Sequence, residues 1–457
     1  MLYESATQMA RRIQAREISS VELVSAHVAH IKSVNPNLNA VVELLEEQAL
    51  AAAKQADGDL AAGCPTGPLH GVPFSIKDSI DVAGSKTTAG TLGRRDSGAA
   101  CCDATLVRRL KEAGGIALAR TNLPDLLFAY ESDNFIYGRT NNPYDLARTP
   151  GGSSGGESAL IAAGGTPLGL GSDAAGSVRL PAAFCGITSI KPTSGRLPRT
   201  GHVPPAGGWA EALWQIGPMA RFTEDLVLTM RLLAREDDQD FTSPPMPLLE
   251  PVDLKKLRVA FFSDNGFAAC AREIKDAVKK CAAFLEREGA AVTEQAPPGV
   301  AEAYDLEMAL LGADGADGID GYLAAVGSSK IHPLLTFFVD QMRPHRVSGS
   351  QFAEVWARWD GYRAAMRRFF QQYDVVLSPV YTQTALKHGE SMMMENFRGF
   401  SYTMAWNVAG YPAATVRCGA QGKLPINVQV VTKPWQDMLA LQVCSALESE
   451  YGGWQKA

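Results

Sequence analysis

The chain has 457 residues, 46% of them hydrophobic and 20% charged, with a net charge of −6. This balance fits a globular protein with a large core and argues against nucleic acid or an anionic membrane as the main partner. No run of about 18 apolar residues is present, so no membrane span is expected.

In chain order the elements alternate between helix and strand. The first twenty residues carry no apolar signal core. Ser5 with Gln8, and Ser19 with Glu22, have the spacing of capping boxes and predict two N-terminal helices. In the second, Leu23, Val24, His27, Val28 and Ile31 recur at helical spacing, which makes His27 a packed side chain rather than a catalytic one. Leu38 to Leu45 reads as a strand, Glu46 to Ala56 as a helix and Val72 to Ile76 as a short buried strand. A helix over Asp103 to Glu112 closes on Gly114-Gly115, where glycine accepts a left-handed cap. A strand over Ile116 to Ala119 follows. Residues 234–254 are polar and Pro-rich and read as a loop. Beyond them come a strand over 257–262, a helix over Ala271 to Glu288, a helix over Gln351 to Gln372 and a strand over Asp374 to Leu377. ATVRC and INVQVV read as strands, and Gln436 to Glu448 as the last helix. The pattern predicts a layered α/β protein. Strands continue on both sides of 234–254, so a single domain over 1–457 with that segment as an excursion is expected. The eight cysteines show no metal-type spacing and the seven histidines are dispersed, so no metal is expected. Cys101-Cys102 reads as a pair of reduced thiols and the cytoplasm as the expected location.

Two segments carry the chemistry. GPLHGVPFSIKDSIDVAGSKTTAG, residues 67–90, puts Lys77 at the end of an apolar strand. TPGGSSGGESALIAAGGTPLGLGSDAAGSVRLPAAFCG, residues 149–186, holds Ser153, Ser154 and Ser177 among small residues and contains no histidine. Together they point to a serine hydrolase whose base is a lysine. Small residues before Ser177 let the backbone N–H groups of Ala174, Ala175, Gly176 and Ser177 converge, as an oxyanion requires. A serine between a lysine and the nucleophile can pass a proton both ways. Lys77 must then be neutral, which burial in the GVPFSIK strand would favour. Three other readings compete. A flexible linker fits poorly beside the apolar ALIAAG and LGLG. A phosphate cradle lacks the G-x-x-x-x-G-K-[ST] pattern. A G-x-S-x-G elbow would make Ser154 the nucleophile with His202, His332, His345 or His388 as base, yet it needs a preceding strand, and YDLARTP before it does not read as one.

The paired segments resemble the amidase signature family of serine amidohydrolases. The likeness rests on PFSIKD with DVAGSKTTAG, NNPYDLARTPGGSSGGESALIAAG, GSDAAGSVRLPAAFCGITSIKPT, and late in the chain NVAGYPA with LPINVQVV. It implies one large α/β/α domain around a twisted mixed sheet, no cofactor, and a Ser–cisSer–Lys triad. By motif position Ser177 is the nucleophile, Ser153 the cis-peptide bridging serine and Lys77 the base. Ser154 matches a supporting serine. Asp173 and Arg179 match residues that brace the nucleophile loop, or serve as a structural ion pair. The family commonly has two glycines before the nucleophile; here Ala175 and Gly176 stand there, which narrows the oxyanion site or restricts φ without removing a donor. NLPDLLFAYESDN resembles the acyl-pocket region of fatty-acid-amide and aryl-amide hydrolases and makes Leu127 and Phe128 pocket wall. Glutamine-hydrolysing amidotransferase subunits usually carry Gln where Leu180 stands, so Leu180 favours an apolar or aryl substrate. Met392 to Met394 with Phe397 and Phe400 are further pocket or packing candidates, and Trp209 and Trp214 a candidate lid. The expected activity is cleavage of apolar or aryl amides, with aryl carbamates and esters as side substrates. The expected partner is a small amide or carbamate, with no nucleic acid and no membrane, and a homodimer is carried as an expectation. The alternatives are a non-catalytic scaffold on the same fold and a glutamine-hydrolysing amidotransferase subunit.

Overall fold

A computed structural model of the chain describes residues 1–205, 207–249 and 252–457. The N-terminal helices α1 (Ala6–Gln14) and α2 (Ser20–Leu38) start at Ser5 and Ser19, each in a complete capping box with Gln8 or Glu22. Helix α2 runs through Pro36 and closes on Asn39 in the left-handed region, φ 49. The strand expected from Leu38 therefore begins only at Val41, as β1 (Val41–Leu44). Helix α3 (Glu46–Ala61) extends past the expected Ala56, and α4 (Thr105–Glu112) lies within the helix expected over Asp103 to Glu112.

The remaining strands are β2 (Pro73–Lys77), β3 (Ile116–Thr121), β4 (Leu168–Asp173), β5 (Thr188–Lys191), β6 (Gln215–Ala220), β7 (Arg258–Phe261), β8 (Ala291–Glu294), β9 (Val375–Pro379), β10 (Ala413–Gln421) and β11 (Leu424–Thr432). All eleven form one mixed sheet in the order β1-β3-β2-β4-β6-β5-β10-β11-β9-β7-β8. Every residue of β2, β4, β5, β6, β9 and β11 is buried, so this central part of the sheet is covered on both faces. The fold is the layered α/β architecture that the sequence pattern predicts, with the one large central mixed sheet that the family resemblance implies. Strands from before and after the Pro-rich segment share this sheet. In that segment the described residues 234–249 form neither helix nor strand, and residues 250 and 251 lie outside the described ones.

The topology places the site. Strand β2 runs parallel to both β3 and β4, with Ile76 opposite Leu170. The carboxyl ends of β2 and β4 thus open at the same edge, where ligands gather in parallel α/β sheets. Lys77 ends β2, and Ser172 and Asp173 end β4. Strand β6 is antiparallel to β4 and pairs its first residue, Gln215, with Asp173, which brings Trp214 to the same edge. Two helices start there: α5 (Gly155–Ala162) just after Ser153-Ser154, and α6 (Arg179–Phe184) just after Ser177.

Candidate active site

Lys77 is fully buried, and its amine sits among hydroxyls. Nζ lies 2.7 Å from Ser153 Oγ, 3.0 Å from Ser154 Oγ and 3.1 Å from Ser172 Oγ. Burial holds its pKa well below the ordinary lysine value, against the opposing pull of Asp173 and Glu157. Desolvation disfavours the ammonium. Glu157, fully buried on α5, is pushed up to about 7 by burial, against hydrogen bonds from Ser75 and from Thr121 at 2.7 Å.

The Gly152–Ser153 peptide is cis. Ser154 donates its backbone N–H to the carbonyl of Ser177 at 3.1 Å, which ties the two serine loops together. Ser154 is fully buried, whereas Ser177 keeps 8% of its surface exposed and lines a cavity with Ser153 and Ser172. The Ser177 hydroxyl has no hydrogen-bond partner among the described residues, Ser153 included. Hydroxyl pairs in unliganded sites are often slack and tighten only around substrate. Among the described residues no histidine hydrogen-bonds Ser153, Ser154, Ser172 or Ser177; His202 contacts Ser79 Oγ at 3.3 Å instead. His27 is buried against the carbonyl of Gly165 at 2.8 Å, and residues 144–150 contain no strand.

The loop before Ser177 differs from its expected form in one donor. Gly176 N–H already donates to Asp173 Oδ1 at 2.8 Å. The amides of Ala174, Ala175 and Ser177 have no partner among the described residues, so three donors rather than four are free. Asp173 is the hub that fixes this loop. It takes Arg179 Nε at 2.9 Å and Nη2 at 3.0 Å, Val178 N–H at 3.1 Å and Asn407 Nδ2 at 2.9 Å. Burial raises its pKa, but the Arg179 guanidinium outweighs that and holds the carboxylate below its ordinary value. Arg179 in turn reaches Asn407 Oδ1, Gln429 Oε1 at 2.8 Å and the carbonyl of Thr403 at 2.9 Å. Ser172, Glu157, Thr403, Asn407 and Gln429 take no role from sequence alone. Asn407 and Gln429 lie inside the NVAGYPA and LPINVQVV blocks, which mark the positions without assigning them a contact.

The cavity wall is Leu127, Phe128, Ala129, Tyr130, Ala174, Ala175, Trp214, Leu311 and Phe338, and none of its side chains is charged. Leu127 and Phe128 line this cavity. Leu180 does not: it is fully buried in the core on α6 and does not line the cavity, because α6 turns it away from Ser177. Met393 and Met394 are 50% and 40% exposed and also lie off the wall. Phe400 stacks behind Tyr130 with ring centroids 3.5 Å apart. Trp214 belongs to the wall itself, while Trp209 lines a neighbouring cavity that shares Phe128, Trp214 and Leu311 with the first; Ala206, in the same loop, lies outside the described residues. The cavity at Ser177 has about 20 Å³ of free space and its neighbour about 300 Å³.

Among the described residues no group of three or more His, Cys, Asp or Glu side chains could hold a metal ion, and no helix is long and apolar enough to cross a membrane. Cys101 and Cys102 are free, exposed thiols.

A sequence profile of the amidase family matches residues 22–441, and the chain belongs to this family of hydrolases. It is 32% identical to a glutamyl-tRNA(Gln) amidotransferase subunit from Carboxydothermus hydrogenoformans, with 98% of this chain and 97% of that protein covered. It is also 32% identical to fatty-acid amide hydrolase 2-A of Danio rerio, over 100% of this chain and 90% of that one. Among solved structures it resembles a fatty acid amide hydrolase with a TM-score of 0.90 at 26% identity, covering 99% of this chain and 85% of the other.

Proposed function

We propose that the protein hydrolyses the C–N bond of apolar or aryl amides, with aryl carbamates and esters as further substrates. Ser177 is the nucleophile, Ser153 the proton relay and Lys77 the base. The observation that carries this reading is the buried amine of Lys77 at 2.7 Å from Ser153 Oγ, beside a cavity that exposes Ser177. Ser177 Oγ attacks the carbonyl carbon and passes its proton through Ser153 to the neutral amine. The free amides of Ala174, Ala175 and Ser177 stabilise the oxyanion. Lys77 returns the proton through Ser153 to the leaving nitrogen, and an acyl-enzyme remains for water to cleave. Ser154 and Ser172 hold the amine in place. The Asp173–Arg179 pair holds the donor loop. No cofactor enters this sequence of steps.

The substrate class is read from the cavity wall. Glutamine carries an ammonium, a carboxylate and an amide; Asp314 in the neighbouring cavity could face the ammonium, but the uncharged wall at Ser177 offers the carboxylate no partner. An unpaired buried polar group costs about 1–3 kcal/mol, so glutamine is expected to be disfavoured by about 10- to 100-fold. Equal identity to a fatty-acid amide hydrolase and to an amidotransferase subunit keeps glutamine hydrolysis as the second reading. The two separate in a competition assay: kcat/KM for an anilide should exceed that for glutamine on the isolated chain. A preference for glutamine, or activity seen only with partner subunits present, would establish the second reading.

A prediction about pH follows from Glu157. Its carboxylate pulls the Lys77 pKa upward, because a negative neighbour favours the ammonium. Glu157 is a carboxylate above its pKa of about 7, and Glu157→Gln removes that charge, so an acid limb of the kcat/KM profile that lies above about pH 7 should move to lower pH. Such a limb staying in place or moving to higher pH would show that Glu157 does not act on the group whose titration the profile reports.

A further inference from the structure

The Ala175–Gly176 peptide lies between two of the three free amides, those of Ala175 and Ser177, and it is clamped at both ends. Its N–H donates to Asp173 Oδ1 at 2.8 Å. Its carbonyl oxygen lies 2.8 Å from Thr403 Oγ1 and 3.3 Å from Tyr130 Oη. Thr403 comes from the helix Ser401–Ala409, more than two hundred residues away in sequence. The single proton of its hydroxyl has a second carbonyl in reach, Phe400 O at 2.9 Å, so Tyr130 is a second donor to the Ala175 oxygen. Gly176 has φ +122, and a Cβ placed on it would collide with the Thr403 side chain. Thr403 therefore fills the space that a side chain at this position would need.

A glycine at this φ is free to leave it unless something fixes the peptide. The orientation of the 175–176 peptide sets the directions of the amides on either side of it. Oxyanion stabilisation depends on donors that are already aimed before charge develops. We infer that Thr403, seconded by Tyr130, is a positioning residue that holds the Ala175–Gly176 carbonyl against the Ser401–Ala409 helix and so keeps the amides of Ala175 and Ser177 aimed at the oxyanion. This rests on the reading of Ser177 as the nucleophile. It also accounts for how the loop works with Ala175 and Gly176 before the serine: the carbonyl of the residue with a Cβ is held from behind, and the residue without one yields its side-chain space to the holder.

The test uses the full chain as wild type, Thr403→Val, Thr403→Ser, Tyr130→Phe and Ser177→Ala. Thermal melts, kcat and KM for an anilide, and the inhibition constant of phenylboronic acid are measured for each. Phenylboronic acid gains a bond from a serine oxygen to boron and presents a tetrahedral, oxyanion-like centre to the same donors. Valine keeps the shape of threonine and removes only the hydroxyl. Thr403→Val is expected to lower kcat by about 10- to 100-fold, to leave KM within about threefold, and to weaken phenylboronic acid by the same factor as kcat. Thr403→Ser, which restores the hydroxyl, should return kcat to within about threefold of wild type. A purely structural role would lower the melting temperature without this matched loss of kcat and boronate affinity. Thr403→Val with wild-type kcat and wild-type boronate affinity overturns the proposal. Should Thr403→Val fail to fold, Tyr130→Phe decides. It removes one donor and keeps the ring, and is expected to lower kcat and boronate affinity together by about 3- to 10-fold; no loss overturns the proposal. Ser177→Ala separates the two levels of the reading. If Ser177→Ala is inactive and Thr403→Val is normal, only the positioning role falls. If Ser177→Ala stays active, the nucleophile assignment falls and the positioning role falls with it.

Discussion

Ser177→Ala is expected to lower kcat by about three orders of magnitude or more while leaving the fold intact. The fold should survive because the Ser177 hydroxyl has no partner among the described residues and keeps 8% of its surface exposed. Its backbone carbonyl, which Ser154 N–H binds at 3.1 Å, is untouched by the substitution. Activity should collapse because no other serine of the cluster both faces the cavity and follows the donor loop. Ser154 is fully buried, and Ser153 and Ser172 contact Lys77. A Ser177→Ala enzyme with near-wild-type kcat would remove Ser177 from the mechanism.

Lys77→Ala is expected to abolish most of the hydrolysis of amides and to spare activated esters in part. An amide expels a poor amine leaving group and needs the proton that Lys77 returns, whereas an activated ester expels a good one without help. In the wild type, kcat/KM should rise with pH through an apparent pKa well below that of free lysine, because burial favours the neutral amine. The sign follows directly: below that pKa Lys77 is an ammonium and accepts no proton from Ser153, and above it the base is available. If Lys77→Ala kept its amide activity and a histidine substitution abolished it, the base would be a histidine after all. Among the described residues no histidine lies within hydrogen-bond reach of the four serines, so this outcome would require a large rearrangement.

The local parts of this fold are legible in sequence and the crossings are not. Both capping boxes stand where Ser5, Gln8, Ser19 and Glu22 put them, because a cap is a contact over three residues. Strand β6, QIGPMA, escapes a sequence reading because a glycine and a proline sit in its middle. Pro218 pairs with Leu170 in the interior of the sheet, where proline is rare. Strand β4, LGLGSD, is hidden by its glycines for a reason tied to the site. A Cβ at Gly171 would lie 2.7 Å from Ser154 Oγ, so the strand gives up side chains to let the serine cluster approach. Lys77, Ser153 and Ser177, the proposed triad, are legible because the segments around them resemble the motifs of the amidase family. Leu180 is misplaced by sequence because nothing in a six-residue helix says which of its faces meets the cavity. The lost fourth donor does leave a signal: an Asp three residues before an amide, as Asp173 is before Gly176, commonly binds that amide. Thr403 leaves none, and the NVAGYPA and LPINVQVV blocks mark Asn407 and Gln429 without a contact, since all three reach the loop only through the folding of a distant helix and strand onto it.

The most direct test of the Ser177–Ser153–Lys77 mechanism is where a serine-directed fluorophosphonate attaches. The native protein is treated to completion and digested, and the modified peptide is sequenced by mass spectrometry, with Lys77→Ala carried in parallel. One adduct per chain is expected, on Ser177, formed much more slowly in Lys77→Ala. An adduct on Ser154, or no stoichiometric adduct on the native protein, would contradict the mechanism.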